Sequence, residues 1–479
     1  MTHTTGVSVT KGALWSAVDK FGIVAMQFVI NIVLARLLTP DDFGLVGMIL
    51  IIVAVSTILA DGGFGSALIQ KSDATAEDYS TAFWVNISIS LLLFTAIYLS
   101  APLIATLLGY PILGALLRTL AIVIVLNSIG LVGRVRLRRQ FAFRQIALSN
   151  IVAYILSAIV AIAMSKRGFG AWSLVAMHIV NALFSNLFII IAAGWLPSTK
   201  FSLSSLKRLF VYGEYMLISD LLSNICFHIQ STLVGKYFTP YTAGQYAQAK
   251  KMEEVACITL PSAMNQVLFP LYSRLQHDIE SLRSRLRVDT QLIAFVIFPL
   301  LTILIIIANP LILLLFGDKW MESIPMFQVL CLGGFFCSLQ YFNYHAVAAI
   351  GKSRVLFFAG VFKSLVTIGS IMIGVHISMS AVLVAMVASN IVNYLTNGII
   401  AQRYIKYSLS RQLLDVAPIF ATATILGSMV YYIALVWNIN WIVLVVLYSA
   451  LYLVASHAMG IKAMSEAIRV IKRGINRDM

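Results

Sequence analysis

Residues 35–44 read ARLLTPDDFG, and residues 235–244 read GKYFTPYTAG. Each stretch has a small residue, a cation, two apolar residues, Thr-Pro, three further residues and Gly, and each separates two long apolar runs. A proline stops one helix and a glycine lets the chain turn into the next. Both stretches therefore predict a tight corner between two helices. Their repetition indicates that the chain contains two copies of one structural unit.

The composition indicates that this chain lies in a membrane. Of its 479 residues, 60% are hydrophobic and only 11% are charged, whereas soluble domains are about 45–50% apolar and about 25% charged. The mean hydropathy is +0.91. A globular protein of this size could not shield so much apolar surface from water, so the surrounding solvent must be lipid.

The apolar runs are numerous and long enough to cross a bilayer, which takes about 20 residues each. The fourteen runs lie near 12–38, 43–68, 81–108, 113–133, 146–164, 169–195, 209–238, 242–272, 289–316, 324–350, 354–375, 378–402, 413–436 and 440–461. We predict an all-α polytopic membrane protein with about fourteen transmembrane helices. The short connecting loops leave no room for a soluble catalytic domain, so the protein is predicted not to be an enzyme.

The positions of the cations predict the topology. Most of the 34 lysines and arginines fall in alternate loops, together with the run RVRLRRQFAFRQ (134–145) and the C-terminal tail. The positive-inside rule then predicts a multi-pass membrane protein with both termini in the cytoplasm. This asymmetry explains most of the net charge of +15, so a nucleic-acid partner is not indicated, and the basic run predicts contact with membrane lipids.

Two further matches extend the repeat. APLIATLLG (101–109) corresponds to NPLILLLFG (309–317), and LVAM (174–177) to LVAM (383–386). The order of the matches predicts two six-helix lobes in parallel repeat, 1–200 (helices 1–6) and 201–405 (helices 7–12), followed by 406–479 with helices 13–14 and a basic cytoplasmic tail. Such paired lobes suit alternating access around a central cavity.

Polar residues inside the apolar runs are candidates for the lining of that cavity, because ionisable groups in hydrocarbon are costly. Two sets have helical spacing that puts them on one face. The first run contributes Lys20, Gln27 and Asn31, and the seventh contributes Asp220, Asn224, His228 and Ser231. Local pairing or snorkelling of Lys20 and Asp220 is the alternative.

The eighth run begins GQYAQAKKMEEVA (244–256). Gln248 and Lys251 mark one face of this helix, and Lys250 and Glu254 have the i,i+4 spacing of an ion pair. These charged residues either form a purely structural ion pair or provide a charged floor for the cavity. Glu253 and Glu254 are the candidates for a gate in the second case.

Two isolated cations lie within other runs. Lys363 is near the middle of the eleventh run with no acidic neighbour within a helical turn, so it needs a carboxylate from another helix or a substrate phosphate. Arg118 in the fourth run is a second candidate, with snorkelling as its alternative. At the two corners, Arg36 and Lys236 are either anchors at helix ends or parts of a paired outer gate.

Motifs for metal, nucleotide or nucleophilic chemistry were sought in the sequence. No spaced His, Cys, Asp or Glu cluster, P-loop or nucleophile motif occurs. We therefore predict no cofactor, and coupling to a proton or sodium gradient remains open.

The block ARLLTPDDFGLVGMILIIVAVSTILADGGFGSALIQK, followed by TAFWVN, closely resembles Wzx-type polysaccharide-export flippases of the MOP superfamily. The stretches GQYAQAKKMEEV and VLFPLYSRLQ resemble the eighth helix of that family. The resemblance covers roughly residues 8–405 and is closest to colanic-acid exporters. It departs at AKKMEEVA, where the family is mostly apolar, so the cavity chemistry of that helix cannot be transferred residue by residue.

The resemblance implies an inner-membrane flippase that moves undecaprenyl-diphosphate-linked oligosaccharide from the cytoplasmic to the periplasmic leaflet. It further implies a cationic cavity between two lobes and helices 1, 2, 7 and 8 near the gate. The resemblance also suggests polysaccharide polymerase machinery as a partner. A lipid II flippase and a drug or cation antiporter of the same superfamily are the alternatives, although an antiporter predicts a more acidic cavity.

Overall fold

The computed structural model describes residues 4–71, 73–199, 201–437, 439–466 and 469. Residue contacts divide the chain into two units, 1–244 and 245–479. This division by packing differs from the predicted division by repeat, whose boundaries stay predictions.

The first unit contains α1 (Thr4–Leu37), α2 (Pro40–Asp61), α3 (Phe64–Gln70), α4 (Ala76–Leu108), α5 (Ile112–Leu120), α6 (Ile122–Arg139), α7 (Phe143–Lys166), α8 (Ala171–Ala193) and α9 (Leu203–Tyr237). Helix α10 (Pro240–Glu254) begins in the first unit and continues into the second. The second unit continues with a π-helical turn (Val255–Thr259), α11 (Leu260–Arg274), α12 (Ile279–Ile306), α13 (Ala308–Phe316), a 3-10 turn (Asp318–Trp320), α14 (Ser323–Ala349), α15 (Ser353–Val375), α16 (Met379–Ile405), α17 (Leu409–Trp437) and α18 (Trp441–Ala458).

The all-α, multi-span fold is confirmed. Within the described residues, eleven helical segments are long and apolar enough to cross a membrane, and they are α2, α4, the joined α5–α6, α7, α8, α12 and α14 to α18. The other three predicted runs are also helical. The described part of α1 includes the apolar stretch Gly22–Leu37. Helix α9 is rich in polar residues, and the eighth run is interrupted by the π-helical turn.

Three further predicted runs are interrupted in the structure, namely 43–68 between Asp61 and Phe64, 113–133 at Ala121, and 289–316 at residue 307. The run 289–316 was expected to be a single helix, but α12 ends at Ile306 and α13 begins at Ala308. Pro310 explains the break, because its ring would clash with the carbonyl of the residue four positions earlier, which is Ile306.

Two of the prolines inside longer helices are accommodated by side chains from neighbouring helices. Pro102 lies within α4 and cannot donate to the carbonyl of Tyr98. The Nε of Arg118 on α5 donates to that oxygen at 3.0 Å. In the same way, Pro299 lies within α12, and the hydroxyl of Tyr452 donates to the carbonyl of Phe295 at 3.2 Å.

The two repeated corners begin helices in the same way. Thr39 caps α2, because its side-chain oxygen accepts from the backbone N–H of Asp42 while the Asp42 carboxylate accepts from the backbone N–H of Thr39. Thr239 accepts from the backbone N–H of Thr242 at 3.0 Å. Threonine at the cap followed by proline in the first turn suits this geometry, since the proline needs no hydrogen-bond acceptor there.

The interiors of the two units are packed differently. In the first unit, leucines of α5 such as Leu113, Leu116 and Leu117 are buried against α2, α4 and α8. In the second unit, Phe298, Phe335 and Phe420 meet edge to face, with ring centroids 4.9 to 5.8 Å apart. These contacts join α12, α14 and α17.

One face of α4 carries exposed apolar side chains, including Leu92, Leu99 and Leu103. Such a stripe would be unfavourable in water and is suited to contact with lipid acyl chains.

Candidate functional site

The predicted polar faces of α1 and α9 are only partly described. The side chains of Lys20 and Asp220 lie outside the described residues. Gln27 donates a hydrogen bond to the hydroxyl of Tyr154 on α7, and Asn31 is buried. Asn224 and His228 are half-buried on α9. Gln27 is therefore held within its own unit, and the shared cavity face of these residues stays a prediction.

Lys363 lies in the second unit among neutral partners. Its Nζ on α15 donates to Oδ1 of Asn397 on α16 at 3.1 Å and lies 5.6 Å from the ring centroid of Tyr344 on α14. Within the described residues, no carboxylate oxygen lies within 4.0 Å of this nitrogen. Asn397 in turn donates to the carbonyl of Gln340. The carboxylate that the sequence left open as a partner is thus not found, and the charge of Lys363 is solvated by an amide and a ring.

The ion pair predicted in α10 has a different partner. Lys250 Nζ pairs with Glu253 at 2.7 Å, an i,i+3 contact, rather than with Glu254. Glu253 and Gln248 are buried, while Lys251 and Glu254 are half-buried. An i,i+3 pair is as close on a helix surface as an i,i+4 pair, so the spacing alone could not decide between the two glutamates.

The π-helical turn begins one residue after Glu254. Pro261 follows it in the first turn of α11 and lacks the N–H that would bond the carbonyl of Cys257 in an α-helix. π-Helical turns inside helices are frequent at functional sites. The turn thus places a backbone irregularity directly beside the charged segment of α10.

Arg118 has a structural contact. Its guanidinium satisfies the Tyr98 carbonyl freed by Pro102 and lies 5.0 Å from the centre of the Tyr98 ring. These contacts hold α5 against α4, which favours a packing role for Arg118 over substrate binding.

The two corners are in direct contact within the first unit. A Cβ built on Gly44 would lie 1.7 Å from the carbonyl oxygen of Pro240, and one built on Gly244 would lie 1.9 Å from that of Pro40. The contact is reciprocal, as expected for two copies of one motif related by a local two-fold axis. Only glycine allows backbones to approach this closely.

The side chains that flank this contact extend the packing of α2 on α9. Thr232 donates to the carbonyl of Met48 at 2.9 Å, and the Met48 side chain lies where a Cβ on Gly235 would be. The cations Arg36 and Lys236 are exposed beside the corners, and Lys236 lies 5.8 Å from the ring centre of Tyr237. The paired corners are thus an observed feature, and the gate role of the two cations stays a prediction.

A pocket that the sequence did not predict lies in the first unit. Its volume is about 310 Å³, and its lining comes from α2, α4, α6 and α8. The residues that line it are Thr57, Ile58, Asp61, Asn86, Asn127, Ser128, Leu131, Arg134 and Asn186. We call this the amide pocket, because amide and hydroxyl groups predominate with one carboxylate and one guanidinium.

The side chains of the amide pocket are held by hydrogen bonds. Asn186 donates to Asn127 Oδ1 at 3.0 Å and to the carbonyl of Ala182 at 2.7 Å. Arg134 reaches the Oδ1 of Asn186 at 3.4 Å. Asn86 is 1% exposed, and within the described residues its Oδ1 has no hydrogen-bond partner. The pocket therefore presents at least one unused acceptor in an otherwise ordered polar network.

A glycine makes room for this network. A Cβ on Gly130 would lie 1.9 Å from Oδ1 of Asn186, so the asparagine occupies the space of a missing side chain. The available signal in the sequence was the presence of single asparagines within apolar runs. Residues far apart in the chain, such as Asn86 and Asn186, have no common spacing that would predict their meeting.

The fold and these sites define a polytopic membrane protein with buried polar groups and no appended domain among the described residues. It is similar to the lipid II flippase MurJ in an inward closed conformation, with a TM-score of 0.77 at 15% sequence identity, covering 93% of this chain and 98% of that one. It is also similar to the inward-facing conformation of a multidrug resistance MATE family transporter of the MOP superfamily, with a TM-score of 0.64 at 18% identity, covering 81% of this chain and 98% of that one.

Residues 33–325 match the family model described as polysaccharide biosynthesis protein. The chain belongs to this family, and the predicted relationship to Wzx-type flippases is confirmed. It is 29% identical over 368 residues to the succinoglycan biosynthesis transport protein ExoT of Rhizobium meliloti (strain 1021), covering 77% of this chain and 74% of that protein. It is 26% identical over 369 residues to the lipopolysaccharide biosynthesis protein WzxC of Escherichia coli (strain K12), covering 76% and 74%. The chain thus belongs to a family of transporters in polysaccharide biosynthesis and not to a family of enzymes.

Proposed function

We propose that this protein is a flippase that moves undecaprenyl-diphosphate-linked oligosaccharide from the cytoplasmic to the periplasmic leaflet, for export of a surface polysaccharide. The observation that carries the proposal is Lys363, a cation within a membrane-spanning helix whose described partners are all neutral. A cation without a counter-charge inside a membrane-spanning helix is costly. A diphosphate bound beside it would supply the missing charge.

The oligosaccharide needs a different surface. Sugar hydroxyl groups are both donors and acceptors, and amides, hydroxyls and a carboxylate match them. The amide pocket offers these groups in about 310 Å³, a volume suited to a small ligand or one part of a larger one. We assign it to sugar contact, with Lys363 and, on the sequence evidence, Lys20 and Lys251 assigned to the diphosphate.

Movement across the membrane requires alternating access. The glycine contact between the corners holds Pro40 and Pro240 together, and we assign this arrangement to the state that is closed on the outer side. Separation of the corners would open the periplasmic exit. Glu253 and Glu254 are assigned to the inner gate or to a coupling proton, with a sodium gradient as the other source of energy.

The proposed topology has about fourteen transmembrane helices in two six-helix lobes and both termini in the cytoplasm of a bacterial inner membrane. The membrane-spanning helices and the distribution of cations support this assignment. The polyprenyl tail would stay in lipid throughout, since only the diphosphate and the sugar cannot cross hydrocarbon unaided.

The test is polysaccharide export in a strain that lacks the protein and carries variants on a plasmid. Lys363→Ala should reduce export about tenfold or more, because a charge-assisted hydrogen bond to phosphate contributes about 1.5–3 kcal/mol. Lys363→Arg should retain part of the activity. Lys20→Ala and the double variant with Lys363→Ala should show whether the two cations act on the same diphosphate.

Lys352→Ala is the matched control, because Lys352 is an exposed cation outside the apolar helices that lies over the ring of Tyr404. Membrane levels of each variant are measured by immunoblot. Export at the level of the unaltered protein in well-expressed Lys363→Ala and double variants would contradict the proposal. Complementation of a lipid II flippase defect, or drug resistance without polysaccharide export, would instead favour one of the alternatives.

A further inference from the structure

A second polar cavity lies in the second unit, at the ends of three membrane-spanning helices. Its volume is about 380 Å³. It is lined by Arg283 and Arg287 of α12, by Lys406, Tyr407 and Ser408 of the link between α16 and α17, and by Arg411 of the first turn of α17. We call it the basic cavity. Among the described residues, four cations and no carboxylate line it.

The positive charge of the basic cavity is only partly neutralised by its surroundings. Arg283 pairs with the exposed Glu280 at 3.2 Å, and Arg287 pairs with Asp415. Lys406 and Arg411 have no ion-pair partner in the described part of the chain. Two uncompensated cations thus face a space that a small anion can fill.

Lys406 adopts an unusual backbone conformation. Its φ of 62° and ψ of 25° are left-handed, at the position that ends α16. Glycine is the residue most often found in this conformation at the end of a helix. The left-handed conformation is less favourable for lysine than for glycine. Binding of a ligand by the lysine side chain would explain why lysine occupies this position.

The N-terminus of α17 adds to the field in the cavity. This helix of 29 residues begins at Leu409, and the partial positive charge of its first turn favours an anion. Arg411 belongs to that turn. Exposed apolar side chains follow Arg411 on the same helical face, since Leu414 at i+3 is 69% exposed and Ile425 at i+14 is 68% exposed.

We propose that the basic cavity binds the phosphate of an anionic phospholipid headgroup, whose acyl chains lie along the exposed face of α17. The cations match the phosphate, and the apolar stripe beside them matches the chains. Basic pockets between transmembrane helices are suited to such headgroups. A free phosphate would use the cations but gain nothing from Leu414 and Ile425. The site is separate from Lys363 and from the amide pocket, so it does not depend on the identity of the cargo.

Binding is measured on the purified full chain by native mass spectrometry, with dioleoyl phosphatidylglycerol as the probe. Dioleoyl phosphatidylcholine and inorganic phosphate are measured in parallel. The variants are Lys406→Gly and Arg411→Gln. Lys406→Gly removes the cation while placing the favoured residue in the left-handed conformation, so its folding should be at least as stable as that of the unaltered protein. Arg403→Gln is the matched control, because Arg403 is exposed in the last turn of α16 and does not line the cavity.

Each cavity variant should weaken phosphatidylglycerol binding about fivefold. Arg403→Gln should leave it unchanged, and phosphatidylcholine should bind all variants equally. Equal phosphatidylglycerol affinity in the cavity variants and the unaltered protein would overturn the proposal. An equal loss in Arg403→Gln would show a non-specific charge effect and would also overturn it. Displacement of the lipid by millimolar inorganic phosphate would identify a free phosphate site in its place.

Discussion

Replacing Gly44 by alanine is expected to separate the two corners. In the present structure the new Cβ would lie 1.7 Å from the carbonyl oxygen of Pro240, whereas Cβ contacts under 3.0 Å are essentially never found. Restoring even 3.0 Å requires a displacement of about 1.3 Å between two pieces of backbone. Neither partner is a flexible side chain, so the corners themselves must move.

In the proposed transport cycle, the energetic consequence falls on one state. Overpacking of this kind costs about 1–3 kcal/mol. If only the state with paired corners bears that cost, the equilibrium shifts about 5-fold to 150-fold toward separated corners. In an exposed helix, Gly→Ala normally stabilises the helix by about 1 kcal/mol. Helix propensity therefore cannot explain a loss of the state with paired corners.

The assay measures the distance between spin labels on Asp41→Cys and Tyr241→Cys, in a background without native cysteines that still supports export. Gly44→Ala should lengthen the distance and lower export of polysaccharide. Gly47→Ala is the matched control on the same helix, because its Cβ would meet Ser231 at an ordinary 3.7 Å. Unchanged label distances and unchanged export in Gly44→Ala would refute the assignment of the corners as a closing contact.

Two further predictions concern the amide pocket and a helix cap. Gly130→Ala should displace Asn186 and reduce export at normal protein levels, because the new Cβ would lie 1.9 Å from Asn186 Oδ1. Gly360→Ala is the control and should not change export, because its Cβ would meet nothing within 4 Å. Equal export by the two variants would argue against a role for the amide pocket. Hydrogen bonds from Ser281 hold the pKa of Asp278 below its ordinary value. The cap of α12 should therefore persist above about pH 3.9 and fail as pH falls through the lowered pKa, seen as faster hydrogen exchange in the first turn of α12. Asp278→Asn should remove this pH dependence, because asparagine caps without ionising, and a persistent dependence would contradict the assignment.

The helices and the two repeated corners could be predicted from sequence because their signals are local or repeated. Apolar runs of sufficient length specify spans, and Thr39-Pro40 and Thr239-Pro240 carry the same cap in each copy. The repeat also indicated that the two corners are equivalent. Their contact through Gly44 and Gly244 needed the structure, because a glycine in a sequence shows conformational freedom and not what approaches it.

The chemistry inside the helices was harder to predict because it depends on neighbours distant in the chain. Arg118 looked like an isolated cation until Tyr98 and Pro102 supplied its partner. The glutamate paired with Lys250 was misassigned because two spacings on a helix are nearly equivalent. The amide pocket was missed because single asparagines carry no pattern.

The most direct test of the account is transport by the purified protein in liposomes. A fluorescent undecaprenyl-diphosphate oligosaccharide is placed in both leaflets, and its outer-leaflet fraction is followed by an enzyme or quencher that cannot cross the membrane, with and without a proton or sodium gradient. The account predicts that the protein makes the inner-leaflet pool accessible and that Lys363→Ala removes this activity while Lys352→Ala does not. Flipping at full rate by Lys363→Ala, or no flipping by the intact protein with either gradient, would contradict it.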